Sequence, residues 1–459
     1  MAETSIVKLL ELEGKERLDP EYYGKNFIKL NRKVIKNPQS TRLGQFIKHG
    51  YRVVYWKTKT FPKEEKKDDD VYFLQAANIA SDVPIIDSEG MKCVWKNDWI
   101  EYPEGRINHK EILVEVKGKA EKVVLVPEDF PSNTLVSGTL YKFTVKKNIL
   151  PEFVLVYFLT KYGKGLRDRY KSNLLVSFVN KDDLYDLPII EPDKEFQLKI
   201  QKKYLEFYDE MIKSNQLMEE AKKILLEELK FDQEIDFSNS YNTTISDITK
   251  SKRCDAEFFH PYYEEIKNKI KNYEHGYSSL FTSVSEIEPN FKPKNFPEKK
   301  FSYVELADVN LTSGLIDNFT VHRGEKIPSR AQRLLKKGDI ILSRVAGSIE
   351  CVALVQKEQD GFLASSGFFQ FRMKDIPEEL MLVMAKTKIL QGQFLKESSG
   401  TILTSVPSNG PENCIIPKFP DDVQVKITSL VQESNNARNS AKEILNDAIQ
   451  MIELKIENN

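Results

Sequence analysis

The chain has 459 residues, 40% of them hydrophobic and 30% charged, too long for one ordinary core and too apolar for a disordered chain. Its net charge of −1 excludes nothing by itself, because the two signs are segregated along the chain. The longest purely apolar run, Phe153 to Leu159, is far short of a membrane span, and the first residues lack a basic-then-apolar leader pattern, so the cytoplasm is the expected compartment.

In chain order, Arg17-Leu-Asp19-Pro-Glu21-Tyr22-Tyr23 leads into an amphipathic helix. Its charges read as caps and salt bridges opening that helix, not as a carboxylate site. Residues 29–63 then carry ten Lys/Arg and no Asp or Glu. Here Arg42, Lys48, Arg52, Lys57 and Lys59 are interleaved with Phe46, Tyr51, Tyr55, Trp56 and Phe61. Cations neutralise phosphates and release counterions, while Arg and aromatic groups reach or stack on bases. Short alternating runs predict strands, Ile112-Leu-Val-Glu-Val116 among them. A second basic cluster, Lys161-Tyr-Gly-Lys164-Gly-Leu-Arg167-Asp-Arg169-Tyr-Lys171, contains glycines that would let backbone approach a phosphate. Residues 194–230 lack Gly and Pro and predict a helix on the order of 50 Å long. Residues 232–241, with their Ser-Asn-Ser, read as a linker.

The chain then says the same thing again. Arg17-Leu-Asp-Pro-Glu-Tyr-Tyr returns as Arg253-Cys-Asp-Ala-Glu-Phe-Phe at an offset of 236. Phe73-Leu-Gln-Ala-Ala-Asn-Ile79 matches Tyr303-Val-Glu-Leu-Ala-Asp-Val309 at 230, and Leu135-Val-Ser137 matches Leu363-Ala-Ser365 at 228. Residues 170–200 run without gaps onto 397–427 at 227. Asp339-Ile-Ile-Leu-Ser343 is the second copy's equivalent of the 112–116 strand, entered from Gly338. Charge in this copy sits in His322-Arg323, Lys326, Arg330, Arg333, Lys336 and Lys337, with Arg344 after the strand. The counterpart of the second basic cluster, 391–401, keeps Lys396 but is richer in hydroxyls, Ser399 and Thr401 among them. Different surfaces on matching scaffolds imply two different targets.

A second Gly- and Pro-free helix is predicted over 421–455. A 3.5-residue spacing picks out Ile200, Tyr204, Phe207, Met211, Ser214, Met218, Ala221 and Leu225 in the first helix. In the second it picks out Ile427, Leu430, Ser434, Ala437, Ala441, Ile444, Ala448 and Met451. One seam is bulky and the other small, as for two helices packed closely together. Ala221-Lys-Lys-Ile-Leu225 matches Ala441-Lys-Glu-Ile-Leu445 at 220, which reads as the loss of one heptad from the second helix.

Four cysteines lie far apart with no CxxC pair, and five histidines are scattered, so neither a zinc site nor a disulfide framework is indicated. There is no GxxxxGK[ST], HExxH or GxSxG, and no Asn-Pro-Pro-aromatic signature of an amino-methyltransferase. No catalytic or metal site is expected.

The second copy resembles the target-recognition domains of type I restriction-modification specificity subunits. The resemblance rests on Tyr303-Val-Glu-Leu-Ala-Asp-Val, Ile327-Pro-Ser-Arg330-Ala-Gln-Arg333, Lys337-Gly-Asp-Ile-Ile-Leu-Ser-Arg344, Ser365-Ser-Gly-Phe-Phe-Gln-Phe-Arg372 and Ser399-Gly-Thr-Ile402. Ile416-Pro417 and Gln424-Val-Lys-Ile427 carry the pattern into the helix. The first copy follows it more loosely, lacking Pro-Ser-Arg-Ala-Gln and the Ser-Ser-Gly-Phe-Phe run, with Ser172-Asn173 where Ser399-Gly400 stands. The resemblance implies an α+β chain: two mixed α/β recognition domains (1–193 and 236–420) separated by long antiparallel coiled-coil helices (194–235 with its linker, and 421–459). It implies double-stranded DNA with a bipartite site as ligand, each domain reading one half and the helices setting the gap. Two methyltransferase subunits, which hold S-adenosylmethionine, are the implied partners, with restriction or translocase subunits as optional additions; the chain itself needs no cofactor and no membrane. Related type IIB-like or phage-defence methyltransferase complexes, and a coiled-coil scaffold that binds no DNA, are the alternatives. The candidate DNA contacts are Arg42, Lys48, Arg52, Tyr55, Trp56, Lys57, Lys59, Lys164, Arg167, Arg169, Lys171, Arg323, Arg330, Arg333, Arg344, Lys396, Ser399 and Thr401.

Overall fold

A computed structural model describes residues 19–63, 66–67, 70–88, 90–171, 177–231, 241–400 and 404–458. It divides into two units, 1–210 with 439–459, and 211–438. Each is a mixed α/β body joined to parts of the two long helices, and among the described residues no helix is long and apolar enough to cross a membrane.

In the first unit, an antiparallel sheet runs in the order Ile47–Tyr51, Leu140–Val145, Ile112–Glu115, Val123–Leu125. Ile112, Leu113 and Val114 are buried on both faces, each contributing about 1.5–3 kcal/mol. A smaller sheet places Val71–Leu74 between Lys92–Val94 and, in parallel, Thr134–Val136. Pro151, with its φ preset for a first turn, opens the apolar helix Pro151–Leu159. Thr160 caps the next helix, Lys161–Tyr170, by accepting from the Gly163 amide at 3.0 Å.

The second unit repeats this plan, with one strand more in its smaller sheet. Its antiparallel sheet runs Val284–Glu286, Phe368–Met373, Ile340–Ser343, Val352–Leu354. Ile112 faces Phe143 in the first unit and Ile340 faces Phe371 in the second, both at an offset of 228. The parallel pair recurs too, Phe73 opposite Leu135 and Tyr303 opposite Leu363. Thr41 opposite Ile189 returns as Ser278 opposite Ile416. Even the polar pin of the central strand is shared: Glu111 bonds to buried Lys142 at 3.1 Å, and Asp339 to Gln370 at 2.7 Å and Arg372 at 2.8 Å. Gly338 enters that strand at φ +83°, a left-handed turn that a side chain would strain.

The long helices run Lys194–Glu228 and Asp421–Glu457. Within the first unit they are antiparallel, with Lys203 meeting Asp447 at 3.3 Å and Lys455 meeting Asp193 at 3.7 Å. Within the second, Ser214 and Ser434 share a buried hydrogen bond of 3.1 Å. All eight expected seam residues of the first helix are buried. In the second helix five of the eight expected residues, Ile427, Ser434, Ala437, Ala441 and Ala448, are buried, while Leu430, Ile444 and Met451 are only half-buried; the fully buried 4-3 series is Ile427, Val431, Ser434, Arg438, Ala441, Leu445, Ala448 and Ile452. The composition admits a 3-4 or a 4-3 alternation from Ile427, and the helix buries the second.

That series is the first helix's series displaced by 227 throughout, and no heptad is missing. Gln197 and Gln424, also 227 apart, each donate to the carbonyl five residues back, of Pro192 and Phe419. At the far ends Tyr273 bonds Glu228 in the second unit, and Asn37 bonds the Lys455 carbonyl in the first. Because a seam recurs every seven residues, a match at 220 fits as well as one at 227; the apparent deletion was a one-heptad slip of alignment.

The charged motif at the start of the second copy is not a helix cap either. In the described copy, Arg253 binds Asp255 at 2.9 Å and the Ser398 carbonyl at 2.7 Å, before a helix at Pro261–Lys271 whose N-cap is His260. Arg17 lies outside the described residues. Of the cysteines, Cys93, Cys351 and Cys414 are buried and Cys254 is exposed.

Candidate nucleic-acid interface

The motifs of the second copy lie far apart in sequence and meet around the end of one buried strand. Arg344 follows Ile340–Ser343; its amide donates to the Gly367 carbonyl at 2.9 Å, and its carbonyl accepts from Val406 at 2.8 Å. Ser366, next to Gly367, donates to the Arg330 carbonyl at 2.7 Å. Val345 bridges Ser405, and Ser405 bridges Ser399. The Arg344 guanidinium rests 4.7 Å over the Phe369 ring and donates to the Ser408 hydroxyl at 3.0 Å. Arg330 and Ser399 are exposed beside it. The result is a partly solvent-facing arginine oriented by an aromatic ring and a hydroxyl, ringed by another arginine, serines and the open Gly347 turn. With Nε and Nη2 held by the Val406 carbonyl at 3.4 Å and by Ser408, its Nη1 edge is the one placed to donate to guanine edges or phosphates.

The first unit builds the same place with other side chains. The Val116 amide donates to Thr139 and its carbonyl accepts from Val179, the bonds made by Arg344 at offsets of 228 and 227. Val116 therefore stands where Arg344 stands. Lys117–Gly118 pairs with Ser177–Phe178 as Val345 pairs with Ser405. Cations are supplied instead by exposed Lys117 and Lys119 and by Arg52, which lies 5.3 Å over Phe178 and donates to the Gly138 carbonyl at 3.3 Å. Lys117 and Lys119 were missed in the sequence. The signal was a Lys-Gly-Lys directly after a buried strand, at the position where the other copy carries its arginine.

Of the remaining candidates in the first unit, Trp56 is 83% exposed and Lys57 and Lys59 are exposed with it. The loop carrying them is tied down by Thr58 to Asp98 at 2.6 Å and by Tyr55, whose hydroxyl donates to the Val136 carbonyl at 2.8 Å. Burial keeps the Tyr55 phenol well above its usual range, and its hydroxyl is engaged by the Val136 carbonyl. Arg42 and Lys48 are exposed, with Arg42 bonded to the Asp186 carbonyl at 2.7 Å.

The expectation for 161–171 is corrected. The segment is a helix, and its glycines serve close packing: a Cβ at Gly163 would strike the Tyr157 carbonyl, and one at Gly165 the Leu30 side chain. Arg167 is 3% exposed, bonds the Glu121 carbonyl at 3.1 Å and lies 5.4 Å over Phe158; burial brings its guanidinium down to about 10. Arg169, equally buried, bonds the Tyr22 carbonyl and stacks 4.1 Å over that ring. Lys171 pairs with Asp168 at 2.6 Å, which leaves Lys164 as the exposed cation among these four.

Arg333 and Lys396 are corrected likewise. Arg333 is fully buried, donates to the Ile287 carbonyl and lies 3.8 Å from Glu286; burial lowers its guanidinium to about 10. Lys396 is buried against Glu264 and 5.0 Å over Phe258. Neither can reach a macromolecular ligand. Arg323 is exposed and paired with Glu298 at 3.0 Å. Thr401 lies outside the described residues.

No family model and no curated protein matches this chain. Among solved structures, 92% of the chain aligns with 98% of a chain from a study of complex assembly and conformational transition of the type I R-M system, at 15% identity and a TM-score of 0.29. The HsdS subunit of Thermoanaerobacter tengcongensis aligns over 92% of this chain and 97% of its own, at 14% identity and a TM-score of 0.29. A type I restriction-modification S subunit from M. genitalium aligns over 91% of this chain and 94% of its own, at 13% identity and a TM-score of 0.34.

Proposed function

We propose that this chain is the DNA-specificity subunit of a type I restriction-modification complex, with each unit reading one half of a bipartite site. The observation that carries the reading is the matched pair of scaffolds: identical backbone bonds hold Arg344 in one unit and Val116 in the other. A duplicated strand end with exchanged side chains is what reading two different half-sites requires. Direct readout needs rigid donors that can reach base edges, and the Arg344 site provides one.

The long helices set the gap between half-sites and dock two methyltransferase subunits, which carry S-adenosylmethionine and the chemistry. Restriction subunits complete the assembly where cleavage occurs. This chain contributes recognition, not catalysis. The test is duplex binding by the full chain copurified with its methyltransferase partner. Affinity should fall steeply with salt, log K against log[salt] sloping by about −0.9 per phosphate contacted. Affinity that is flat with salt would refute DNA recognition.

A further inference from the structure

We infer that the first unit carries a second DNA-contacting surface, a basic groove along the helix Lys25–Lys36 that grips the phosphate backbone outside the bases read. This deepens the reading above and rests on it. The groove is lined by Lys25, Lys29, Arg32, Lys33, Lys36 and Lys161, with Glu457 as its acid. Glu457 is already engaged by Lys161 at 2.5 Å and by Tyr162 at 3.0 Å, so it offsets little of the remaining charge. The five cations of the helix are all exposed and fall on successive turns along about 16 Å.

The duplication shows which of these charges the scaffold needs. At the offset of 236 the second unit places Pro261, Glu265, Asn268, Lys269 and Asn272 where the first has Lys25, Lys29, Arg32, Lys33 and Lys36. Lys269 alone is kept, and its role is structural: it donates to the Lys230 carbonyl, as Lys33 donates to that of Glu457 at 2.8 Å. Lys25, Lys29 and Lys36 are not kept in the second unit. Among the described residues no acid pairs with Lys25, Lys29 or Lys36.

Phosphates fit this surface better than an acidic protein does. Protein interfaces are depleted in lysine and built on aromatic, Met and Arg anchors, whereas here five of six cations are lysines. One helix links the groove to the loop of the candidate interface in the same unit. Helix Lys161–Tyr170 lines it with Lys161, and six residues on, about 9 Å along the axis, Arg167 holds the Glu121 carbonyl of the Lys117–Lys122 loop.

The test compares the full chain in its methyltransferase complex with a Lys25→Gln/Lys29→Gln/Lys36→Gln variant, on non-target and target duplexes across a salt series. The log K–log[salt] slope should become shallower by roughly 2.7, so that the wild type's advantage shrinks about 40-fold between 50 and 200 mM salt. The loss should be equal on both duplexes, with the methylated sequence unchanged. Lys29→Gln alone should shift the slope by about 0.9. A control, Lys250→Gln/Lys357→Gln/Lys418→Gln at three exposed lysines of the second unit, should leave the slope in place. An unchanged slope in the triple variant, an equal change in the control, or loss of the methyltransferase subunit in place of DNA would each overturn the groove. If the wild type itself shows no salt-dependent binding, the underlying reading fails instead.

Discussion

The most exacting structural prediction concerns Arg438, a charged residue in the seam of a helix pair. Its Nη2 donates to both carboxylate oxygens of Asp317, at 3.1 and 3.0 Å, with the two side chains 1% and 4% exposed. Asp317 is fixed beside the Val309–Ile316 bridge, its amide donating to the Asp308 carbonyl at 2.9 Å. The pair thus ties the second unit's globular body to its own stretch of long helix. Arg438→Ala takes the cation from a buried carboxylate, and Asp317→Ala takes the anion from a buried guanidinium; each should cost about 3–5 kcal/mol. Arg438→Met with Asp317→Leu removes both charges and fills the space, and should lie between neutral and about 4 kcal/mol more stable. A two-unit chain does not unfold in one step, so urea unfolding of the full chain should be paired with hydrogen exchange at the 306–317 amides. Singles that cost under about 1 kcal/mol, the range of an exposed ion pair, or that simply add in the double variant, would refute the reasoning.

Other outcomes follow from the same structure. Arg344→Ala or Arg330→Ala should weaken reading of one half-site by roughly 1–3 kcal/mol and spare the other, as binding to single-half mutant duplexes would show; equal loss at both would indicate misfolding. Because the two seams share one offset throughout, removing 212–218 from the first helix alone should leave the helices mismatched. Removing 212–218 together with 439–445 shortens each by about 10 Å and should shorten the recognised gap by about three base pairs; an unchanged gap, read by methylation mapping, would sink the ruler idea. Burial raises the Glu264 carboxyl, but the bond and charge of Lys396 outweigh it and hold the group below its ordinary value of 4.5. A carboxyl lowered on folding stabilises above its unfolded value and loses that contribution as pH falls through the folded one. Acid unfolding of Lys396→Met should therefore lack part of the stability loss that the wild type shows below pH about 4.5, and identical acid limbs would contradict this.

The duplication was legible in the sequence because strand pairing constrains both partners at once. Offsets of 230, 228 and 227 reappear residue for residue in the two units' registers. What misled was ambiguity of a definite kind. A heptad seam looks the same after a seven-residue slip, and its phase is hidden when a seam position holds a charge, as Arg438 does. Arginine inside a basic run looks like surface, yet Arg167, Arg169 and Arg333 can be buried because carbonyls and rings from remote segments receive them. Conversely, Lys117 and Lys119 acquire meaning only through the fold, which shows that Val116 stands where the other copy holds Arg344.

The central claim is tested most directly by methylation sequencing of DNA from a methylation-free host expressing this chain with its methyltransferase partner, against each chain alone. The account predicts N6-methyladenine in a single bipartite motif, and only when both chains are present. Two chains that do not associate, with no motif methylated, would contradict it and leave a coiled-coil scaffold in its place.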